Sequence, residues 1–262
     1  MTSVQIAREM EGRLAVVTLN RPDQMNPLDF ETSKTLLAAF REFDADPKVR
    51  VVIVTGAGKA FSAGGDLEGY QTLYRQPERF REFLNTLRDL FAVIEASPKI
   101  VIAAVNGWCL AGGIEFALAC DLILAADTAR IGDAHLNFGQ LPGAGGSQRL
   151  PRAIGVPRAK WLIYRGHWLA ATEAERIGLV QEVVPAAELL DRARTLAAEM
   201  LERSPAGLAG AKKLVNEGIE MARGPAIQFE LDFVHHYATT HPDAMEGLAA
   251  FAAKRKPRFA PS

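Results

Sequence analysis

An α/β fold is predicted for this 262-residue chain by three features. Short runs of Val, Ile, Leu and Ala recur between residues 14 and 184, and turns and helix-prone segments separate them. Several runs are apolar without alternation, which marks strands covered on both faces. From Ala186 onward strand signals stop and helical patterns remain. Together these predict a core of short β/α units over residues 1–200 and a helical region over 201–262, of the kind that often makes subunit contacts.

Taken in order, Leu14-Ala-Val-Val-Thr-Leu19 is a β-branched strand that breaks at Asn20-Arg-Pro-Asp23. Asp29 is a suitable N-cap for a helix from about Phe30 to Phe43. Arg50-Val-Val-Ile-Val-Thr55 is a buried strand, and a glycine-rich loop follows over 56–66. Residues 67–95 are helix-prone but broken at Pro77. Within them, Tyr70-Gln-Thr-Leu-Tyr74 suits either a pocket wall or a surface loop. Ile100–Val105 is a strand, about Gly112 to Cys120 a helix, and Asp121–Ala126 another buried strand. Ser147–Ile154 and Pro157–Tyr164 form short helices, the second with proline at a favoured first position. Glu173–Ile177 and Val180–Val184 make one more helix–strand pair. Helices over about 186–202, 206–222 and 226–239, and a last one ending near Lys254, complete the chain.

Lys and Arg total 30 against 31 Asp and Glu, so no bulk field attracts nucleic acid or a membrane, and neither is expected as a partner. No run reaches the roughly 18 apolar residues of a membrane span, and the first residues lack a secretory pattern. Cys109 and Cys120 have no metal-ligand spacing and read as free thiols of a reducing compartment. A cytoplasmic protein without a metal site is expected. The loop at 56–66 fails the phosphate-loop pattern, because Ile53 stands where the first glycine belongs and Ala60 follows Lys59. It fails the dinucleotide pattern because Phe61 stands in the last glycine position.

The chemistry concentrates between Val105 and Gly146. A helix beginning at Gly112 presents free N–H groups and its positive end. A second turn, Ala63-Gly-Gly65, follows another strand. Two N–H groups from separate loops can converge on one oxygen and stabilise charge developing on a carbonyl. Glu115, one turn along the same helix, can move a proton beside it. His135 is the nearest imidazole in sequence.

Four motifs then resemble the crotonase, or enoyl-CoA hydratase/isomerase, superfamily. They are Gly58-Lys-Ala-Phe-Ser-Ala-Gly-Gly-Asp66, Ala103-Ala-Val-Asn-Gly107, Ala111-Gly-Gly-Ile-Glu115 through Asp121, and Leu141-Pro-Gly-Ala-Gly-Gly-Ser-Gln-Arg-Leu150. The resemblance implies a spiral of ββα units with a C-terminal trimerisation region, forming homotrimers or homohexamers. It implies an acyl-CoA substrate and no cofactor beyond the CoA that the substrate carries. By that match the oxyanion-hole amides fall on Gly65 and Gly112. Ala63, Asp66 and Leu67 meet the adenine end of CoA, and Lys254 meets its phosphates. Glu68 replaces a basic residue common in the family.

Hydratases of the family pair two glutamates. The first matches Glu115; the second falls on His135. The expected activity is addition of water to a 2-enoyl-CoA through a stabilised enolate, with Glu115 and His135 as the acid–base groups. The histidine leaves three alternatives: carbon–carbon hydrolysis of a 1,3-diketone, double-bond isomerisation, or a non-catalytic CoA-binding module. Relatives that place histidine here for diketone hydrolysis carry an aspartate where this chain has Ala144.

Overall fold

The computed structural model describes residues 2–259. Three successive stretches each contribute a buried strand and then a three-residue strand. The first is β3 (Val51–Gly56), after β1 (Val4–Glu9), β2 (Leu14–Leu19) and helix α1 (Phe30–Ala45). It leads into β4 (Ala60–Ser62), α2 (Leu67–Leu73) and α3 (Pro77–Ala96). The second is β5 (Ile100–Val105), followed by β6 (Trp108–Leu110) and α4 (Gly112–Ala119). The third is β7 (Leu122–Ala126), followed by β8 (Arg130–Gly132), α5 (Gly146–Ile154) and α6 (Val156–Arg165). This is the ββα spiral that the motifs imply.

The five longer strands and the three-residue β10 (Glu182–Val184) build a six-stranded sheet in the order β1-β2-β3-β5-β7-β10. It is parallel except for the β1–β2 pair. The other short strands build a second sheet, β4-β6-β8-β9, with β9 at Trp168–Ala170 antiparallel to β8. β3 and β5 are apolar along nearly their whole length because other elements cover both faces. After α7 (Ala171–Arg176), the remaining helices are α8 (Leu189–Leu201), α9 (Pro205–Gly218), α10 (Arg223–Thr240) and α11 (Pro242–Ala252).

Most expected elements fall within a few residues of their places. Pro77 does not interrupt a helix but starts α3 at the position where its missing N–H costs nothing. Asp29 caps α1, its carboxylate accepting from the Thr32 amide. Five strands went unread in the sequence, among them the three-residue β9. β1 is an edge strand with mostly exposed side chains, so it has no buried stripe. β4, β6 and β8 are too short to show a period.

No helix among the described residues is long and apolar enough to cross a membrane. Cys109 and Cys120 are both free thiols, and burial pushes both well above the usual thiol range.

Candidate active site

Strand ends carry the site. The β3–β4 connection and the turn after β6 approach until only glycine fits between them. A Cβ at Gly112 would lie 3.3 Å from the Gly64 Cα and 3.7 Å from the Gly65 nitrogen. A Cβ at Gly64 would lie 2.9 Å from the Gly112 nitrogen, and Gly64 has φ +101°, which strains any other residue. Ala111 accepts a φ of 50° to start α4. Buried Asn26 fixes the loop from behind, donating to the Ala57 and Ala60 carbonyls at 2.9 and 2.7 Å. The Ala63 amide donates to the Met25 carbonyl, and the Leu28 amide to the Gly64 carbonyl. Asn106, in the turn between β5 and β6, ties that turn to the β3–β4 connection, accepting from the Gly56 amide and donating to the Gly58 carbonyl. The Gly65 and Gly112 amides are left side by side on one cavity wall. Two neighbouring amides of this kind can stabilise an oxyanion.

Glu115 is 2 % exposed. Its Oε1 accepts from the Ala144 amide at 2.9 Å and the Gly146 amide at 2.7 Å. The glycine-rich turn at 143–146 therefore clamps Glu115 at the start of α5. Gly146 has to lack a side chain, since a Cβ there would stand 2.9 Å from the Glu115 Cγ. Burial pushes the Glu115 carboxyl above its ordinary range, and His135 and the two amides counter this only in part.

His135 opens a one-turn 3-10 segment after β8. Its Nε2 lies 3.6 Å from Glu115 Oε2. That is close enough for strong charge interaction and too long for a hydrogen bond. Its Nδ1 lies 3.0 Å from Asp133 Oδ2, and its backbone amide donates to Asp133 Oδ1 at 3.2 Å. Asp133 is 1 % exposed. The imidazole thus donates Nδ1–H to Asp133 and turns Nε2 towards Glu115. Burial alone would lower the His135 pKa, but the Asp133 hydrogen bond and charge and the Glu115 charge outweigh it, and the imidazole titrates above its usual value. Asp133 was missed in the sequence, where the only signal was its spacing two residues before His135.

Gly65, Gly112, Glu115, His135, Ala63 and Leu67 all border one cavity of about 360 Å³. Asp66 instead caps α2, accepting from the Gly69 amide at 3.1 Å. Lys254 is exposed just past α11 and is not part of the cavity wall. In the Tyr70–Tyr74 run, on α2 and its C-cap, Tyr70 and Tyr74 line the wall while Gln71 and Thr72 are exposed, so the stretch is both pocket wall and surface. With Phe80, Leu84, Leu87 and Phe91 it makes the far wall apolar, which suits a hydrocarbon chain. Among the described residues, no group of three or more His, Cys, Asp or Glu could hold a metal ion.

Comparison with known proteins gives one consistent picture. Residues 9–261 match the family model described as enoyl-CoA hydratase/isomerase. A probable enoyl-CoA hydratase of Mycobacterium bovis is 40% identical over 259 residues, covering 99% of both chains. A crotonyl-CoA hydratase of Syntrophomonas wolfei is 40% identical over 261 residues, again covering 99% of both. The crystal structure of an enoyl-CoA hydratase from Bacillus anthracis superposes with a TM-score of 0.93 at 36% identity, covering 100% of both chains.

Proposed function

The chain belongs to the enoyl-CoA hydratase/isomerase family, and we propose that it adds water reversibly to a 2-enoyl-CoA thioester, with Glu115 and His135 as the acid–base pair. The observation that carries this reading is the grouping of Gly65, Gly112, Glu115 and His135 around one apolar cavity. In this reading the thioester oxygen accepts from the Gly65 and Gly112 amides, which stabilise the enolate as the β-carbon is attacked. The carboxylate of Glu115 takes a proton from water while the water oxygen bonds to the β-carbon. Protonated His135 gives its Nε2–H to the α-carbon. The 3.6 Å gap between Glu115 Oε2 and His135 Nε2 then lets the proton return to the imidazole. Atoms balance with no group beyond the CoA of the substrate.

Asp133 is assigned a positioning role. Its carboxylate selects the tautomer that presents Nε2 to the cavity and favours the charged imidazole. Ala63 and Leu67 are assigned to CoA binding; Asp66 shapes the same wall through its cap on α2. Lys254 would meet CoA phosphates, in its own subunit or across a contact in a homotrimer or homohexamer. A CoA-dependent substrate and two unpaired cysteines fit a cytoplasmic setting.

The Asp133–His135 pair also favours a second reading, in which His135 is the base of a carbon–carbon hydrolase acting on a 1,3-diketone. Loss of thioester absorbance across a panel of 2-enoyl-CoA substrates separates the two. Hydration that depends on both Glu115 and His135 supports the first. Diketone cleavage that survives Glu115→Gln, with no hydration of any enoyl-CoA, replaces it with the second.

A further inference from the structure

α2 brings into the cavity a hydroxyl that neither the amide pair nor the acid–base pair accounts for. Tyr70 borders the same space as Gly65, Gly112 and Glu115. Its hydroxyl lies over Gly65, where an added Cβ would stand 2.0 Å from the oxygen. Bond geometry then puts that oxygen within about 4.5 Å of the Gly65 nitrogen. Glycine at 65 is therefore needed for the tyrosine as well as for close approach of a ligand.

The ring is held in place on several sides. It stacks on Tyr74 at 5.2 Å and leans on Phe83 at 6.0 Å and Phe80 at 6.5 Å. The Tyr74 hydroxyl is already bonded to the Gln140 side chain. The Tyr70 hydroxyl has no hydrogen-bond partner among the described residues. Burial first, and then the nearby Tyr74, Glu115, Asp66 and Asp29, push this phenol upwards. It stays protonated through the neutral range and is available as a donor.

We propose that Tyr70 is a further catalytic residue, whose hydroxyl donates a hydrogen bond to the thioester oxygen beside the Gly65 and Gly112 amides. This deepens the enolate reading above and rests on it. The bond costs little to form, because the side chain is already ordered by its aromatic neighbours. It strengthens as charge moves from the carbonyl carbon onto the oxygen, so its effect belongs to turnover more than to binding.

The test compares wild type with Tyr70→Phe, which keeps the ring and its packing. Two readouts are used: hydration of a 2-enoyl-CoA, and the near-ultraviolet band of bound acetoacetyl-CoA, a β-keto thioester that ionises to an enolate. The variant is expected to melt as wild type does and to keep its KM within about twofold. Its kcat should fall by roughly 10- to 10²-fold, and the bound enolate should appear about one pH unit higher. An unchanged kcat and enolate titration in a wild type that hydrates would overturn the role of Tyr70 and leave the hydratase reading standing. A wild type that hydrates nothing, yet holds acetoacetyl-CoA as an enolate in a Tyr70-dependent way, would do the reverse. Neither hydration nor enolate formation in wild type would overturn both.

Discussion

Asp133 turns an isolated histidine into half of a hydrogen-bonded pair, and this decides what His135 can do. Because the His135 pKa is raised, the charged imidazole contributes stability that is fully present below the unfolded value near 6.5 and is lost as pH rises through the folded value. Asp133→Asn removes the largest raising influence. The imidazole should then titrate lower, so its acid form is lost at lower pH, and turnover should fall by roughly 10²-fold. Proton NMR of the imidazole and a pH–rate profile check the two parts. Glu115→Gln is expected to lower turnover by roughly 10²-fold or more. Its amide oxygen can still accept from Ala144 and Gly146, so the fold should persist. The raised Glu115 carboxyl costs the native state stability once pH passes its unfolded value near 4.5. The melting temperature of Glu115→Gln relative to wild type should therefore improve as pH rises from 5 to 8. A variant that loses stability at pH 8 would show that the charge on Glu115 is better compensated than its burial implies.

At the scale of elements, the contact between α4 and the start of α5 sets the geometry of the site. α4 carries Glu115, and the first turn of α5 supplies the amides that hold it. Gly146→Ala would place a methyl 2.9 Å from the Glu115 Cγ and 3.0 Å from its Oε1. One element then has to move. The expected result is a loss of about 1–3 kcal/mol in stability, the usual range for overpacking, together with at least a tenfold loss of turnover. Thermal unfolding and the thioester assay measure these separately. A variant with wild-type activity would mean that the clamp on Glu115 is not needed for its chemistry. The glycine clusters thus do different work: those at 64–65 and 112 shape the amide pair, whereas 143–146 orients a carboxylate.

For the whole molecule, the connection between sheet and C-terminal helices runs through a buried charge. Lys212 on α9 donates to the Ile94 and Lys99 carbonyls at 2.8 and 2.9 Å, and to Asp121 Oδ2 at 2.8 Å. Asp121 in turn accepts from the Val101 amide of β5 at 2.7 Å. The ammonium side chain is only 4 % exposed. Lys212→Met leaves a poorly solvated carboxylate and two carbonyls without their donor, which should cost about 3 kcal/mol or more. Adding Asp121→Asn should return part of that loss, as denaturant unfolding of the double-mutant cycle would show. If Lys212→Met costs nothing, the hold on α9 does not depend on the buried ammonium.

The sequence by itself determined the α/β class, the buried strands, the helical C-terminal run and the candidates Gly65, Gly112, Glu115 and His135. Those signals are local: an apolar run, a glycine turn and the spacing of a motif are each carried within a dozen residues. Only the tertiary structure decided how the groups act on one another. Glu115 and Gly146 are 31 residues apart in sequence, yet they share a hydrogen bond. Tyr70 meets Gly65 only because α2 folds back over its own loop. Asp133 is two residues from His135, but its role depended on burial and on the direction of a ring, which sequence spacing does not specify. A second sheet of three-residue strands could not be seen in advance, because its pairing comes from the turns of the spiral and not from any period within the strands. Composition and motif named the groups; desolvation and distance set their protonation and their partners.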